Sequence, residues 1–201
     1  MDSWRRLFDR ADGWDVDEAD VSAALSTVRD DRPAASDAAE ERSAPPVDSG
    51  PARVVADADV LAADLLVGGD ARRALDPLRS HSWTTLLSSE RLLSDAEAVI
   101  ADLTDPDLAR DWRERAAAWV DLVSHPAGDH PALATAYRGG AMHLLSFDDR
   151  LLSAKAGATL GSRLSVSARH PRAFATLFDA ESLYREVVGG EYPGADRDPR
   201  E

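Results

Sequence analysis

The chain has 201 residues, a formal net charge of −14, 44% hydrophobic residues and no cysteine. Its length fits one ordinary domain of about 100–150 residues with some chain to spare. The lack of cysteine excludes disulfides, thiolate metal sites and cysteine nucleophiles. No stretch approaches the roughly 18 apolar residues of a membrane span. We therefore expect a soluble, cytoplasmic protein without a membrane partner.

The basic residues are almost all arginine, because Lys155 is the one lysine among 23 basic side chains. Together with the excess of acids, this composition is typical of halophilic proteins that work in molar salt. At about 1 M salt the Debye length is near 3 Å, which screens the repulsion between surface carboxylates. The same screening makes the acidity of the chain weak evidence against a nucleic-acid partner.

Residues 1–51 predict an acidic, largely disordered N-terminal extension. Within it, residues 17–29 place apolar side chains three and four positions apart, which predicts one short amphipathic helix. Residues 30–51 contain four prolines and almost no large apolar side chain, which is typical of a disordered linker.

Residues 52–188 have a different pattern, in which short apolar strands alternate with helices. This alternation predicts a parallel sheet covered by helices on both faces, an α/β three-layer sandwich. We expect residues 189–201 to form a flexible C-terminal tail. The predicted strands cover residues 54–56, 82–87, 142–146 and 164–167, and the predicted helices cover residues 71–80, 90–103, 107–123, 129–139, 151–156 and 171–178.

Acidic residues recur just beyond the predicted strands. Residues that follow parallel strands converge at one edge of the sheet, where α/β proteins bind their ligands. Converged carboxylates repel one another unless a divalent cation satisfies them, and ligands that are all oxygen suit Mg²⁺ or Mn²⁺. The acids in such positions are Asp57 and Asp59 after the first strand, Asp95 on the helix after the second, Asp129 at a helix start, and Asp148 and Asp149 after the strand at 142–146.

Four segments of the chain carry a more specific pattern. VVADADVL holds Asp57, SSERLLSDAEAVI holds Asp95, DHPALATAYRGGAMHLLSFDDRLL holds Asp129 and Asp148, and SVSARHPRAFATLF ends the series. In this order the segments resemble the PIN domain family over nearly the whole of residues 52–188.

The resemblance to the PIN domain family implies a nuclease with RNA as its partner. It implies a central parallel sheet, a Mg²⁺ or Mn²⁺ site at Asp57, Asp95, Asp129 and Asp148, and hydrolysis of RNA phosphodiester bonds by a metal-dependent endoribonuclease. Two positions depart from the family's pattern. Asp95 stands where the family usually has a glutamate, and Asp59 stands where a neutral polar residue is common.

Other interpretations of these residues stay open at this point. Asp129 and Asp148 each precede a helical segment and are suited to cap it, whereas an acid directly after a buried strand, as at Asp57, has no obvious structural reason. A different hypothesis is a PIN-like scaffold with a degraded site, whose helix at 17–29 binds a protein partner in a groove. Of the five histidines, His130, beside Asp129, is the best candidate for contact with a substrate, and most of the others fit structural or surface positions. The sequence also leaves a homo-oligomer open.

We predict that KCl stabilises the protein. When salt falls from about 1 M to about 0.1 M, the Debye length grows from about 3 Å to about 10 Å, so repulsion among the surface acids is no longer screened. Circular dichroism melts in dilute buffer and in molar KCl measure the effect as a rise in melting temperature with salt. Equal melting temperatures in the two solutions would contradict the halophilic interpretation.

Overall fold

Five parallel strands form the central sheet of the protein, which is an α/β three-layer sandwich as predicted. The computed structural model describes residues 1–31, 47–125, 130–153 and 166–201. The strands are β1 (Gly50–Ala56), β2 (Thr85–Ser88), β3 (Asp121–Leu122), β4 (Ala141–Leu145) and β5 (Ser167–Arg169). Their order in the sheet is β3-β2-β1-β4-β5, and each pair of neighbours is parallel.

Strand β1 lies at the centre of the sheet because its side chains suit burial on both faces. Val54, Val55 and Ala56 are all buried, and a central parallel strand is covered by helices above and below. Val54 is in register with Leu86 of β2 on one side and with His143 of β4 on the other. The strand predicted at 54–56 is therefore confirmed.

Helices of the described ranges connect and cover these strands. None of them is long and apolar enough to cross a membrane. They are α1 (Trp4–Ala11), α2 (Glu18–Asp30), α3 (Ala58–Leu66), α4 (Gly69–Arg79), α5 (Glu90–Leu103), α6 (Pro106–Trp119), α7 (Pro131–Gly139), α8 (Asp149–Leu152), α9 (Pro171–Leu177) and α10 (Ala180–Val187).

The direction of the chain through the sheet reverses once. From β1 the chain moves outward to β2 and then β3, and it returns to the far side of β1 to form β4 and β5. Because crossovers between parallel strands are right-handed, the connections before and after this reversal cover opposite faces of the sheet. The reversal places a switch point between β1 and β4, which is where open α/β sheets bind ligands.

The helix predicted at 107–123 is wrong at its C-terminal end. Helix α6 ends at Trp119, Val120 is extended, and β3 follows as an edge strand beside β2. Both residues of β3 are exposed, so this strand has no apolar alternation that could separate it from the helical pattern before it.

Four sequence predictions fall partly outside the described residues. These are residues 32–46 of the linker, 129 of the helix predicted at 129–139, 154–156 of the helix predicted at 151–156, and 164–165 of the strand predicted at 164–167. The described neighbours of these segments are strand β1 from Gly50, helix α8 up to Leu152 and strand β5 from Ser167.

The described part of the N-terminal extension packs on the core instead of standing apart from it. Helix α1, which the sequence analysis did not predict, contacts α3 and α6, and helix α2 contacts α3 and α5. Burial of apolar side chains stabilises this arrangement, at roughly 25 cal/mol per Å² removed from water. The buried side chains of the two helices are Trp4, Leu7, Phe8, Ala11, Val21, Ala24 and Leu25.

The segment expected to be a flexible tail, residues 189–201, is bonded to the end of α4 and the residues after it. A hydrogen bond of 2.6 Å joins the Tyr192 hydroxyl to His81 Nε2, and the backbone N–H of Ser82 donates to Asp196 Oδ1 at 2.8 Å. The Arg200 guanidinium donates to Asp76 Oδ2 at 2.7 Å. These contacts hold the segment against the domain although it has no regular secondary structure.

We predict that Leu7→Ala lowers the free energy of unfolding by about 2–5 kcal/mol, the usual range for a buried leucine truncated to alanine. Leu7 is 0% exposed in the core. Leu177→Ala is the matched control, because Leu177 is 63% exposed and its truncation should change stability little. Denaturant titration in molar KCl measures both. Equal stabilities of the two variants would show that α1 is not part of the cooperative fold.

Candidate functional site

The candidate site lies at the switch point between β1 and β4. Asp57 directly follows β1, and Ser146 directly follows β4, at the same edge of the sheet. The Asp57 backbone N–H donates to the Leu145 carbonyl at 2.8 Å, which fixes the two strand ends side by side. The Ser146 hydroxyl consequently lies 3.4 Å from Asp57 Oδ2 and 3.2 Å from Asp59 Oδ2, where it can donate to either carboxylate.

Asp59 is a buried acid beside Asp57. Its Oδ2 accepts the backbone N–H of Phe147 at 2.9 Å, and its Oδ1 accepts the backbone N–H of Val60 at 2.6 Å. Burial, and next the negative charge of Asp57, raise the pKa of Asp59 to about 8. The raised pKa favours the neutral form of Asp59, and that form lessens the repulsion between Asp59 and Asp57.

Arg29 of helix α2 joins two of the predicted acids. Its Nη2 donates to Asp57 Oδ1 at 2.6 Å, and its Nε donates to Asp95 Oδ2 at 3.5 Å. Both carboxylates are 0% exposed, while the Arg29 side chain is 21% exposed. Burial works to lower the pKa of Arg29, but the charges of Asp57 and Asp95 outweigh burial and raise it. The guanidinium is thus a permanent counter-charge for two buried acids.

Sequence reasoning missed Arg29, although the helix that carries it was predicted. Val21, Leu25 and Arg29 are spaced four residues apart, so the arginine extends the buried stripe of α2. A charged side chain on a buried stripe needs a partner of opposite charge. That requirement was the available indication that Arg29 contacts an acid.

The structure brings Asp57 and Asp95 together on Arg29 and places Asp148 at the rim of the same site. Asp148 Oδ2 accepts the Arg150 guanidinium at 2.8 Å, and this hydrogen bond is the main reason why the pKa of Asp148 is lowered. The backbone N–H of Asp148 donates to the Ser146 hydroxyl at 3.0 Å. Asp129 lies outside the described residues.

Two of the site acids also cap helices. Asp148 Oδ1 accepts the Arg150 backbone N–H at 2.8 Å at the start of α8, as the capping interpretation expects. Asp57 Oδ1 accepts the Ala58 backbone N–H at 2.8 Å at the start of α3. Asp57 therefore has a structural reason to follow a buried strand, contrary to the expectation from sequence, in addition to its contact with Arg29.

His130 and Ser88 are polar groups of the site whose hydrogen-bonding capacity is not used by the described residues. Neither ring nitrogen of His130 has a hydrogen-bond partner there, although its Nε2 lies 3.8 Å from Asp57 Oδ2. Burial lowers the pKa of His130 more than the nearby Asp57 raises it, so the imidazole is neutral at pH 7. The Ser88 hydroxyl, at the end of β2, is also buried without a partner in the described ranges.

A cavity of about 420 Å³ opens between α2 and the loop after β4. Leu25 and Arg29 of α2 line one side of it, and Asp59, His130 and Asp148 line the other. This volume falls in the usual range of small-ligand pockets, about 300–1,000 Å³.

The donor set of the site suits a hard divalent cation, because Asp57, Asp95 and Asp148 offer only carboxylate oxygens. Within the ranges that the structure describes, no three acidic or histidine side chains form a group that could hold a metal ion. Asp57 and Asp95 share Arg29 instead. A cation that bound both carboxylates would therefore take the position of the guanidinium.

Comparisons with known proteins give one family. The model of a family of unknown function, DUF7384, matches residues 48–200. The match includes all five strands with Asp57, Asp95 and Asp148, whereas α1, α2 and Arg29 precede it. No curated protein and no solved structure matched the chain.

We predict that Ser146→Ala lowers the free energy of unfolding by about 1–3 kcal/mol, because a buried group then loses its hydrogen-bond partner. The serine hydroxyl donates to a site carboxylate and accepts the Asp148 backbone N–H. Ser26→Ala is the control, since that exposed hydroxyl bonds only the Ser22 carbonyl of its own helix. Urea titration compares the two, and a loss as small as that of the control would mean that Ser146 does not organise the site.

Proposed function

The chain belongs to the DUF7384 family of unknown function, and we propose that it is a metal-dependent endoribonuclease of PIN type. The observation that carries this proposal is the convergence of two fully buried acids, Asp57 and Asp95, on a single cationic group. They come from different elements, the end of β1 and helix α5. Buried acids that share one cation form an arrangement that a divalent metal ion could use.

The position of the site supports the proposal independently of the residue types. The acids lie at the carboxyl edge of a parallel sheet, at the point where the strand order reverses, and ligands of open α/β sheets bind at such points. The order of strands and acids along the chain is the one that resembles the PIN domain family. Asp95 has a shorter side chain than the glutamate that the PIN family usually has at this position. The Arg91 Nε donates to Asp95 Oδ1 at 3.2 Å.

The chain's own residues have distinct roles in the proposed reaction. Asp57 and Asp95, with Asp148 and Asp129 by resemblance, would hold Mg²⁺ or Mn²⁺, which would activate water for attack on the phosphodiester and stabilise the developing charge. The Ser146 hydroxyl orients Asp57. The neutral imidazole of His130, beside Asp57, offers a hydrogen bond to a substrate oxygen.

A scaffold without catalysis is the second candidate, and Arg29 is the observation that favours it. The guanidinium neutralises Asp57 and Asp95 with a residue of the same chain, as a site that has lost its metal would require. The protein-partner surface predicted at 17–29 gains no support, because Val21 and Leu25 of α2 are buried in the chain's own core. A partner of the scaffold would need another surface.

We predict that Asp57→Asn and Asp148→Asn each abolish Mn²⁺-dependent cleavage of a structured RNA pool in molar KCl. Loss of a direct ligand should reduce activity by more than the roughly 10–100-fold that loss of an outer-shell partner typically costs. Chelation of the metal should abolish cleavage by the wild-type protein as well.

The matched control for this experiment is Asp149→Asn. Asp149 is the next residue after Asp148 but is exposed, so its variant should cleave like wild type. Circular dichroism confirms that each variant is folded, which matters for Asp57→Asn because Arg29 loses a buried partner. Cleavage that persists in folded Asp57→Asn and Asp148→Asn proteins would show that these acids do not form the catalytic site, and absence of cleavage by the wild-type protein would favour the scaffold.

A further inference from the structure

We propose that helix α2 is an autoinhibitory clamp, in which Arg29 competes with the divalent cation for Asp57 and Asp95. The inference rests on the proposed metal-dependent function and adds its regulation. It begins from the atoms that Arg29 contacts, Asp57 Oδ1 at 2.6 Å and Asp95 Oδ2 at 3.5 Å. A metal ion held by both acids needs these oxygens, so the guanidinium and the ion exclude each other.

Burial makes this competition strong. Asp57 and Asp95 have no exposed surface, and a buried carboxylate without a counter-charge is strongly destabilising. The two acids must therefore always hold a cation. While α2 is docked, Arg29 pairs with both acids and Arg91 pairs with Asp95, so each of the two carboxylates already has a cationic partner among the described residues.

Helix α2 also closes the approach to the acids. Val21 and Leu25 are buried against the domain, which anchors α2 over the site. The remaining cavity of about 420 Å³ has the size of a small-ligand pocket. An RNA strand that runs past the site needs an open groove, so access of RNA to Asp57 requires α2 to move.

The position of α2 in the chain agrees with a regulatory role. The family match begins at residue 48 and contains the sheet and its acids, while α2 ends at Asp30, before the match. The segment that supplies the competing arginine is therefore separate in sequence from the region that supplies the acids. The sequence of α2 can therefore change without any change in the sheet residues that form the site.

Binding of Mn²⁺ to the full-length protein tests the proposal through affinity, apart from activity. If α2 keeps the metal-competent state below about 10% of the population, Arg29→Gln should bind Mn²⁺ at least about 10-fold more tightly than wild type. Arg29→Lys, which keeps the positive charge, should stay closer to wild type. Isothermal titration calorimetry in molar KCl measures the dissociation constants.

The matched control is Arg10→Gln. Arg10 of α1 forms a comparable ion pair with Asp111 at 2.6 Å and contacts none of the site acids, so its variant should bind Mn²⁺ like wild type. Equal affinities of wild type and Arg29→Gln would overturn the clamp and leave the proposed metal site intact. Absence of binding to wild type and Arg29→Gln alike would overturn both.

Hydrogen exchange of the wild-type protein gives a second measurement that needs no variant to fold. If Mn²⁺ displaces Arg29, the amides of α2 should exchange faster when Mn²⁺ is added, while those of α6 stay unchanged. Protection of α2, or no change at a Mn²⁺ concentration that calorimetry shows to be saturating, would refute the clamp.

Discussion

Two carboxylates without any contact with water, Asp57 and Asp95, impose the main constraint on this protein. A buried charge is tolerated only beside a charge of opposite sign. Arg91, inside the region matched by the family model, pairs with Asp95, whereas Arg29, which pairs with both acids, precedes that region. Among the described residues, Asp57 takes its guanidinium partner from helix α2. Docking of α2 depends in turn on its buried side chains Val21 and Leu25. The same face of α2 therefore contributes both the apolar contacts with the core and the arginine that pairs with the buried acids.

The sheet explains why these groups meet at all. Parallel strands that end at one edge bring Asp57 and Ser146 together although 88 residues separate them, and the reversal of strand order leaves a crevice between β1 and β4. Backbone hydrogen bonds across that crevice fix the carboxylates before any ligand arrives. Asp57 and Ser146 thus belong to the sheet, whereas Arg29 belongs to a helix that covers it.

The sequence predicted the central strands β1 and β4 but not the edge strand β3. Strands β1 and β4 end in buried apolar residues, Val54–Ala56 and Leu144–Leu145, which predict a strand, whereas the two exposed residues of β3 have no such pattern. Asp57 and Asp95 could be named because each belongs to a local segment with a recognisable order. Arg29 could not be assigned to these acids, because they lie 28 and 66 residues away from it in the chain. An arginine on the buried face of a helix indicates that a partner of opposite charge is needed, but it does not indicate which residue that partner is.

The protonation of Asp59 bears on the charge that the site has to offset. Among the described residues, the carboxylates of Asp57 and Asp95 face the guanidinium groups of Arg29 and Arg91. Asp59 would add a third negative charge at 3% exposure, but burial and the charge of Asp57 raise its pKa to about 8. The raised pKa favours the neutral form of Asp59 and so limits the negative charge that the guanidinium groups have to offset. The guanidinium groups that pair with Asp57 and Asp95 are what a divalent cation has to displace before the two acids can bind it.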